Sequence, residues 1–267
     1  MPIPVDDRAD SRLDEYRNIP DPELIRARGI FVAEGRLVVR RLLADRRFVT
    51  RSVMVTEAAR AALDDVLAMR ADVPVYVVPL AVMTSITGFH IHRGCLAIGE
   101  RPPAARWTKV IAGARTLVVL ERVANADNVG GVFRNAAAFG ADAVLLDPAS
   151  TDPLYRKAIR TSMGAALAVP FARTEPWPLV LRDLADRGFA TIALTPASTA
   201  AALADVVADV GVRPIALVLG HEGEGLSADA LAACTHRARI PIAAGVDSLN
   251  VAAAAAIALY ELRRHGV

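Results

Sequence analysis

The chain of 267 residues is 54% hydrophobic and 22% charged, the composition of a globular protein with one large core or two modest ones. A net charge of +2 does not by itself indicate a nucleic-acid partner. The longest weakly polar run, residues 251–260, is too short to cross a bilayer, and the N-terminus lacks a basic-then-apolar signal. We therefore expect a cytoplasmic protein without a membrane span.

The first hundred residues alternate short apolar runs with helical patterns, as in a small α/β domain. After an arm over residues 1 to about 20, strands are predicted at 29–33, 52–56, 74–78 and 95–98, and helices at 36–43, 58–69 and 80–86. Residues 100–108 (ERPPAARWT) contain two prolines and no apolar periodicity, which predicts a linker. The pattern indicates a first domain over residues 1–99 and a second over 109–267.

The second domain alternates wholly apolar strands with amphipathic helices. Strands are predicted at 117–120, 143–146, 191–194, 215–219 and 239–242, and helices at 129–139, 153–166, 179–187, 228–233 and 249–264. Asp152, followed by a proline, and Ser227 are the predicted N-caps of two of these helices. Strands of this kind predict a parallel sheet that is covered by helices on both faces.

Residues 26–51 are strongly basic. They contain eight arginines, including Arg28, Arg36 and Arg40, against only Glu34 and Asp45, an excess of six positive charges. A solvated helix face explains such a run, and so does an electrostatic footprint for RNA phosphates. The residues alone leave both interpretations open.

Several common sites are not indicated. Cys95 and Cys234 form no CxxC pair, and His90 and His92 have no third or fourth ligand nearby, so we predict neither a disulfide framework nor a metal site. The glycine patterns of dinucleotide-binding and P-loop proteins are also absent from the sequence.

Three segments in the C-terminal half each place polar groups beside an apolar run and a glycine-rich turn. They are residues 128–134 (NVGGVFR), 219–225 (LGHEGEG) and 240–250 (IPIAAGVDSLN). In this order and with these flanks they resemble the three signature motifs of the SpoU-type (TrmH-like) RNA ribose 2′-O-methyltransferases of the SPOUT superfamily. Residues 31–43 (FVAEGRLVVRRLL) in turn resemble the ribosomal-protein-L30e-like substrate-binding domain that precedes the catalytic domain in many of these enzymes.

The resemblance implies a fold, a cofactor and an assembly. It implies a deep trefoil knot in the second domain, a homodimer whose sites are completed across the two-fold axis, and S-adenosylmethionine bound in the knot by main-chain groups. By this likeness the cofactor-binding residues are the following: Leu194, Thr195, Leu219, Gly220, Ile240, Ile242 and Leu249. Strand-end core residues would be equally apolar, so the assignment rests on the motifs.

The same motifs carry the candidate catalytic residues Asn128, Arg134, Glu222, Ser248 and Asn250. Methyl transfer needs a ribose hydroxyl aligned behind the sulfonium methyl and relieved of its proton, without a metal. In the family the matching arginine is proposed as the general base, although a phosphate clamp suits a guanidinium better. Glu222 is the other candidate for the proton, or for an ion pair with Arg134, while Asn128 would hold the ribose or fix that arginine. Ser248 and Asn250 would reach the ligand or cap the last helix.

A further stretch, residues 152–164, resembles the family's helix after the second strand. Its basic residues Arg156, Lys157 and Arg160 would contact RNA phosphates if that helix borders the active site. A solvated helix face explains them nearly as well. The chain departs from the family pattern at Asn125-Ala126, where many members have Asp-Pro, at Asn135, where threonine is usual, and at Ala252, where serine is common. These departures leave every candidate catalytic group in place and put the substrate subtype in doubt.

We therefore expect an S-adenosylmethionine-dependent 2′-O-ribose methyltransferase that acts on structured RNA. Ribosomal RNA is favoured over tRNA because of the first domain. Two alternatives stay open: an RNA-binding protein that keeps the fold without turnover, and a small-molecule methyltransferase, for which a salt-insensitive substrate interaction would speak.

Overall fold

A computed structural model describes residues 2–17, 21–88, 91 and 94–266, so His90 and His92 lie outside the described residues. The chain divides into two compact units. The first comprises Met1–Pro103 and Leu154–Leu167, and the second comprises Ala104–Pro153 and Ala168–Val267. The region predicted as the second domain therefore contains one segment, Leu154–Leu167, that lies in the first unit.

The helices and strands are numbered in chain order. The strands are β1 (Ile3–Pro4), β2 (Ile30–Glu34), β3 (Thr50–Val55), β4 (Val75–Val77), β5 (Cys95–Glu100), β6 (Thr116–Leu120), β7 (Ala143–Leu146), β8 (Phe171–Arg173), β9 (Ala190–Leu194), β10 (Ala201–Ala202), β11 (Ile215–Leu219) and β12 (His236–Arg239). The α-helices are α1 (Asp21–Ala27), α2 (Arg36–Ala44), α3 (Glu57–Ala61), α4 (Asp64–Ala68), α5 (Leu80–Thr87), α6 (Trp107–Val110), α7 (Ala126–Phe139), α8 (Arg156–Thr161), α9 (Ala165–Ala168), α10 (Leu179–Asp186), α11 (Leu203–Val210), α12 (Ala228–Ala233) and α13 (Val251–Arg264). A short 3₁₀ helix covers Ser11–Tyr16.

The first unit is built on a five-stranded mixed sheet in the order β1-β4-β3-β5-β2. β5 pairs antiparallel with both β2 and β3, while β4 pairs parallel with β1 and β3. Its core includes Leu13, Met54, Met83 and Ile98, all fully buried. The predicted α/β character of this region is present in the structure.

The second unit contains a seven-stranded sheet in the order β10-β12-β9-β11-β6-β7-β8. Every pair in it is parallel. All residues of β6 and of β11 are buried, because helices cover the sheet and leave no polar face along these strands. The predicted parallel sheet is confirmed.

Helices α7 and α13 pack closely together in this unit. A Cβ at Gly131 of α7 would lie 2.7 Å from the Cβ of Ala252 in α13, so only glycine fits there. Nδ2 of Asn135 donates a hydrogen bond of 2.6 Å to the main-chain oxygen of Ala252. Two of the positions at which the chain departs from the pattern of the family that it resembles, Asn135 and Ala252, are thus in contact with each other.

The predicted helix over residues 153–166 is wrong in extent. Helix α8 begins only at Arg156, with Tyr155 in the N-cap position, so Asp152 does not cap it. After α8 the backbone of Met163 and Gly164 adopts positive φ angles of 54° and 83°, which an α-helix cannot accommodate. The segment is therefore two short helices separated by a left-handed turn.

Other predicted ends of helices and strands also differ from those in the structure. Strand β12 ends at Arg239, before the proline of the predicted strand 239–242, because proline cannot donate in the middle of a sheet. Predicted helix 58–69 is split into α3 and α4. Helix α11 was not predicted, although its buried Leu203, Val206 and Val210 have helical spacing. The Ser227 N-cap is confirmed, since its side chain accepts from the main-chain N–H of Ala230.

Among the described residues, no helix combines the length and the apolar character that a membrane span requires.

Candidate active site

A cavity of about 450 Å³ opens in the second unit where β9, β11 and β12 end. Parallel strands bring their carboxyl ends to one edge of the sheet, where ligand crevices are usually found. All seven predicted cofactor-binding residues line this cavity: Leu194, Thr195, Leu219, Gly220, Ile240, Ile242 and Leu249. Three segments that are far apart in the sequence thus form one wall.

The turn after β11 is folded tightly onto itself. A Cβ at Gly220 would lie only 2.5 Å from main-chain atoms of Gly225, so this position excludes any larger residue. The Nδ1 atom of His221 accepts hydrogen bonds from the main-chain N–H groups of Gly223 (3.0 Å) and Glu224 (3.1 Å). The carbonyl of His221 also accepts from the N–H of Gly225 at 2.9 Å. His221 therefore holds the turn from both its side chain and its main chain.

Arg122, two residues beyond β6, supports this turn from outside. Its Nη1 atom lies 2.7 Å from a carboxylate oxygen of Glu224, and its own N–H donates to Asp147. Arg122 has a φ angle of 55°, an uncommon conformation for a residue with a side chain. Strained backbone of this kind clusters at functional sites.

Three of the five candidate catalytic residues form one hydrogen-bonded chain. Oδ1 of Asn250 accepts from the N–H groups of Ala252 and Ala253 and so caps α13. Its Nδ2 atom donates to Oδ1 of Asn128 at 2.9 Å, and Nδ2 of Asn128 donates to Oε1 of Glu222. The helix cap thereby fixes the orientation of both amides, and the second amide fixes the carboxylate.

Ser248 and Arg134 are placed differently. Ser248 is exposed and lines the cavity. Arg134 is exposed on α7, about 9 Å further along the axis than Asn128 and on another face of the helix. Within the described part of the chain it forms no hydrogen bond or ion pair, so the predicted ion pair with Glu222 is not formed. Glu222 is held by Asn128 instead.

The candidate phosphate-binding residues all lie in the first unit. Arg40 forms an ion pair with Asp65, and Arg28 lies 3.5 Å from Glu23. Arg36 is the first residue of α2, and its Nε atom is buried without a hydrogen-bond partner among the described residues. Arg156, Lys157 and Arg160 all lie on α8.

Neither cysteine is an activated thiol. Burial raises the pKa of the Cys95 and Cys234 thiols to about 12, so neither is a thiolate near neutral pH. The described residues contain no cluster of three or more His, Cys, Asp or Glu side chains that could hold a metal ion.

Two cavity residues, His221 and Asp247, were not predicted from the sequence. Glu121, directly after β6, is a buried carboxylate that was not predicted either. Glu121 accepts hydrogen bonds from Nε1 of Trp177 and from both the N–H and the hydroxyl of Ser227. His221 and Asp247 lie inside the motif segments, which was the available signal for them.

Comparison with known protein families shows which family the chain belongs to. The model of the SpoU rRNA Methylase family matches residues 115–260, more than half of the chain. The chain belongs to the SpoU rRNA Methylase family. Its relatives include an uncharacterized tRNA/rRNA methyltransferase of Mycobacterium tuberculosis, 44% identical over 264 residues, which are 97% of this chain and 91% of that protein. A second, from Synechocystis, is 37% identical over 159 residues, 59% of this chain and 56% of that protein.

Solved structures of methyltransferases share the fold. An AdoMet-bound rRNA methyltransferase from Sinorhizobium meliloti superposes with a TM-score of 0.84 at 24% identity, over 100% of this chain and 99% of that one. The SpoU methyltransferase AviRb from Streptomyces viridochromogenes superposes with a TM-score of 0.80 at 22% identity, over 96% and 97% of the two chains. The predicted α/β architecture is thus that of solved SpoU methyltransferases, and the chain is an RNA methyltransferase by family.

Proposed function

We propose that this protein transfers a methyl group from S-adenosylmethionine to the 2′-hydroxyl of a ribose in structured RNA, with ribosomal RNA favoured over tRNA. The observation that carries the proposal is the chain from Asn250 through Asn128 to Glu222, which places a fixed carboxylate at the edge of an apolar cavity. The family, and the relatives named tRNA/rRNA methyltransferases, support the reaction class.

The cavity fits S-adenosylmethionine in size and character. Its volume of about 450 Å³ lies within the range of small-molecule sites. Leu219, Ile240 and Leu249 supply apolar surface for an adenine ring, and the close main-chain approach at Gly220 leaves peptide groups available to its polar edge. When bound, the cofactor supplies an electrophilic methyl group, so no metal is needed.

Glu222 is the group that we assign to the ribose hydroxyl. Asn128 donates to one of its carboxylate oxygens, which leaves the other free to accept the hydroxyl proton or to orient the hydroxyl. Asn128 and Asn250 are then positioning residues that act through Glu222. Ser248, exposed at the cavity, would bind the ribose or the cofactor.

Arg134 is best suited to hold the substrate phosphate. Its guanidinium is exposed and unpaired within the described chain, and arginine binds phosphate oxygens with paired donors. A general-base role for it is implied only by the family resemblance. Two-fold assembly would complete the site, and the exposed Ile257 (43%) and Tyr260 (53%) of α13 support an apolar dimer contact.

The region over residues 1–99, with its L30e-like pattern, would bind RNA through Arg28, Arg36 and Arg40. On α8, Arg156, Lys157 and Arg160 would also contact RNA. The enzyme would work in the cytoplasm. The trefoil knot stays a prediction. The alternative is a non-catalytic RNA-binding protein, and a methyl-transfer experiment distinguishes it from an active enzyme.

The test is transfer of labelled methyl from S-adenosylmethionine to total RNA from a strain that lacks the gene, using the wild type and Arg134→Ala. We expect label in a ribose, recognised by an alkali-resistant dinucleotide, and loss of the label with Arg134→Ala. Label in a base would refute the 2′-O assignment. RNA binding without any transfer would favour the non-catalytic alternative.

A further inference from the structure

One short segment, residues 121–128, contacts the glycine-rich turn after β11 (residues 220–225) at several points. β6 and β11 are neighbouring parallel strands, so the segments that follow them leave the sheet side by side. Asn128 donates to the carboxylate of Glu222, and the guanidinium of Arg122 contacts Glu224. The turn that forms part of the cavity wall is therefore held by the segment that leads into α7.

The chain directly beyond the glycine-rich turn is fixed by a buried group. Glu121 is 2% exposed, and its carboxylate accepts from the N–H of Ser227 at 2.8 Å and from the Ser227 hydroxyl at 2.7 Å. Nε1 of Trp177 donates to the same carboxylate at 2.8 Å. Displacing Ser227 would leave a buried charge with fewer partners, which is costly. The part of the turn that can still change shape lies before Ser227.

Arg122 holds the part of the turn that faces the cavity. Its Nη1 atom lies 2.7 Å from Oε2 of Glu224, and its Nη2 atom donates to the carbonyl of Gly225 at 3.4 Å. Glu224 and Gly225 both line the cavity. The ion pair is accessible, since 37% of the Arg122 side chain and 70% of the Glu224 side chain are exposed. A substitution at Arg122 should therefore alter the cavity wall without disturbing the buried core.

The conformation of Arg122 has an energetic cost. Its φ angle of 55° lies in the left-handed region, which residues with a side chain rarely adopt. Its Nε atom is buried and has no hydrogen-bond partner among the described residues, which also costs stability. The main-chain N–H of Arg122 donates to Asp147 at 3.0 Å and so helps to keep the backbone in place. Unfavourable conformations of this kind persist where a site uses them, and a role in shaping the turn accounts for this one.

We propose that Arg122 is a positioning residue for S-adenosylmethionine, which holds the glycine-rich turn through Glu224 and thereby raises the affinity for the cofactor. This inference rests on the proposed function, and it assigns a role in cofactor binding to a residue outside the three motifs. Peptide groups that are held before the ligand arrives need not be ordered on binding, which raises affinity. Glu222 is held separately by Asn128, so Arg122 acts on binding and leaves the reacting carboxylate in place.

The test replaces Arg122 by glycine in the full chain. Arg122→Gly removes the contacts with the turn but relieves the positive φ angle, because glycine adopts it without strain. We expect the dissociation constant for S-adenosylmethionine, measured by calorimetry, to rise about fivefold, the upper range for an accessible charged contact. The melting temperature without cofactor should stay near the wild-type value. An unchanged dissociation constant would overturn the proposal, and a loss of affinity matched by a lower melting temperature would assign Arg122 a structural role instead.

A double-mutant cycle tests whether Arg122 acts through Glu224. Arg122→Gly should weaken binding of S-adenosylmethionine less than twofold in a Glu224→Ala background, because the main contact is already absent. A full fivefold loss in that background would show that Arg122 acts without Glu224 and would overturn the proposal. The matched control is Arg264→Ala, which removes an accessible arginine from an ion pair with Glu261 on α13 and should leave the dissociation constant unchanged.

Kinetic constants distinguish failure of this proposal from failure of the proposed function. In methyl transfer to RNA, Arg122→Gly should raise KM for S-adenosylmethionine about fivefold and lower kcat less than twofold. A fall in kcat at unchanged KM would place Arg122 in the chemical step and would overturn the positioning role. A wild-type protein that binds S-adenosylmethionine but transfers no methyl group would refute the proposed function while the binding comparison still applied. A wild-type protein that does not bind S-adenosylmethionine would refute both.

Discussion

The two units hold their polar groups by different means. Around the cavity of the second unit, Asn250, Asn128 and Glu222 are linked by directed hydrogen bonds between neutral amides and a carboxylate. Among the described residues of the first unit, many side-chain contacts are ion pairs of accessible arginines, such as Arg40 with Asp65. Directed bonds fix geometry to fractions of an ångström, whereas accessible ion pairs adapt and are weakened by salt. The first arrangement suits chemistry and the second suits an extended, charged partner.

The largest effect should follow from the carboxylate at the end of the hydrogen-bonded chain. Glu222→Gln keeps the size of the side chain and removes its capacity to take a proton. We expect methyl transfer to fall by about 100-fold or more, the contribution typical of a general base, with unchanged affinity for S-adenosylmethionine. Single-turnover rates and calorimetric titration would measure the two quantities. An unchanged rate would remove the acid–base role from Glu222.

The second effect concerns the helix contact that brings Asn128 and Asn250 together. Gly131→Ala would place a Cβ 2.7 Å from the Cβ of Ala252, an overlap that packed cores resolve at a cost of about 1–3 kcal/mol. We expect a lower melting temperature and reduced methyl transfer. The compensating change is Ala252→Gly in the same chain, which removes the other atom of the clash. Failure of this double variant to recover activity would mean that the contact does not control the site.

The parallel sheet and the convergence of the cavity walls could be predicted, because wholly apolar strands indicate a covered parallel sheet whose carboxyl ends meet. The polar chain could not, because it depends on the side-chain rotamers of Asn128 and on the packing of α7 against α13. The break at Met163 was missed because methionine gives no sequence signal for a positive φ angle. In the sequence Glu34 is a charged residue at the end of an apolar strand, and only the fold shows that it is buried beside α8.

The third prediction uses the polarity of the two amides. Asn250→Asp keeps an equally good N-cap but loses the N–H that donates to Asn128. The amide of Asn128 would then turn to donate to the new carboxylate and would present its oxygen to Glu222, which repels it. We expect about a tenfold loss of methyl transfer, as for one hydrogen bond, at nearly unchanged stability.

Asn250→Ala serves as a comparison for Asn250→Asp, because it removes the helix cap as well as the hydrogen bond to Asn128. It should cost about 1 kcal/mol of stability. If Asn250→Asp transferred methyl at the wild-type rate, the chain would have no part in orienting Glu222.

A smaller effect is expected at the turn after β11. His221→Leu removes the acceptor for the N–H groups of Gly223 and Glu224, whereas His221→Asn offers an amide oxygen at a similar position. We expect the affinity for S-adenosylmethionine to fall about tenfold with leucine and to stay within about threefold with asparagine, measured by calorimetry. Equal losses with both residues would show that the imidazole contacts the ligand instead of holding the turn.

The smallest effect belongs to the ion pairs of the first unit. Hydrogen bonds from Arg47 hold the pKa of the Asp45 carboxyl below its ordinary value of 3.8. A lowered pKa in the folded state means that the stabilisation is complete above that ordinary value and is lost as pH falls through the folded pKa. Because the Arg47 side chain is 55% exposed, we expect Asp45→Asn to cost only about 0.5 kcal/mol at pH 7. The difference in melting temperature from the wild type should shrink as the pH is lowered below 4. A large loss of stability in Asp45→Asn that persisted at low pH would show that hydrogen bonding, rather than charge, holds this part of the first unit. The contrast between the two units would then be weaker than the contacts indicate.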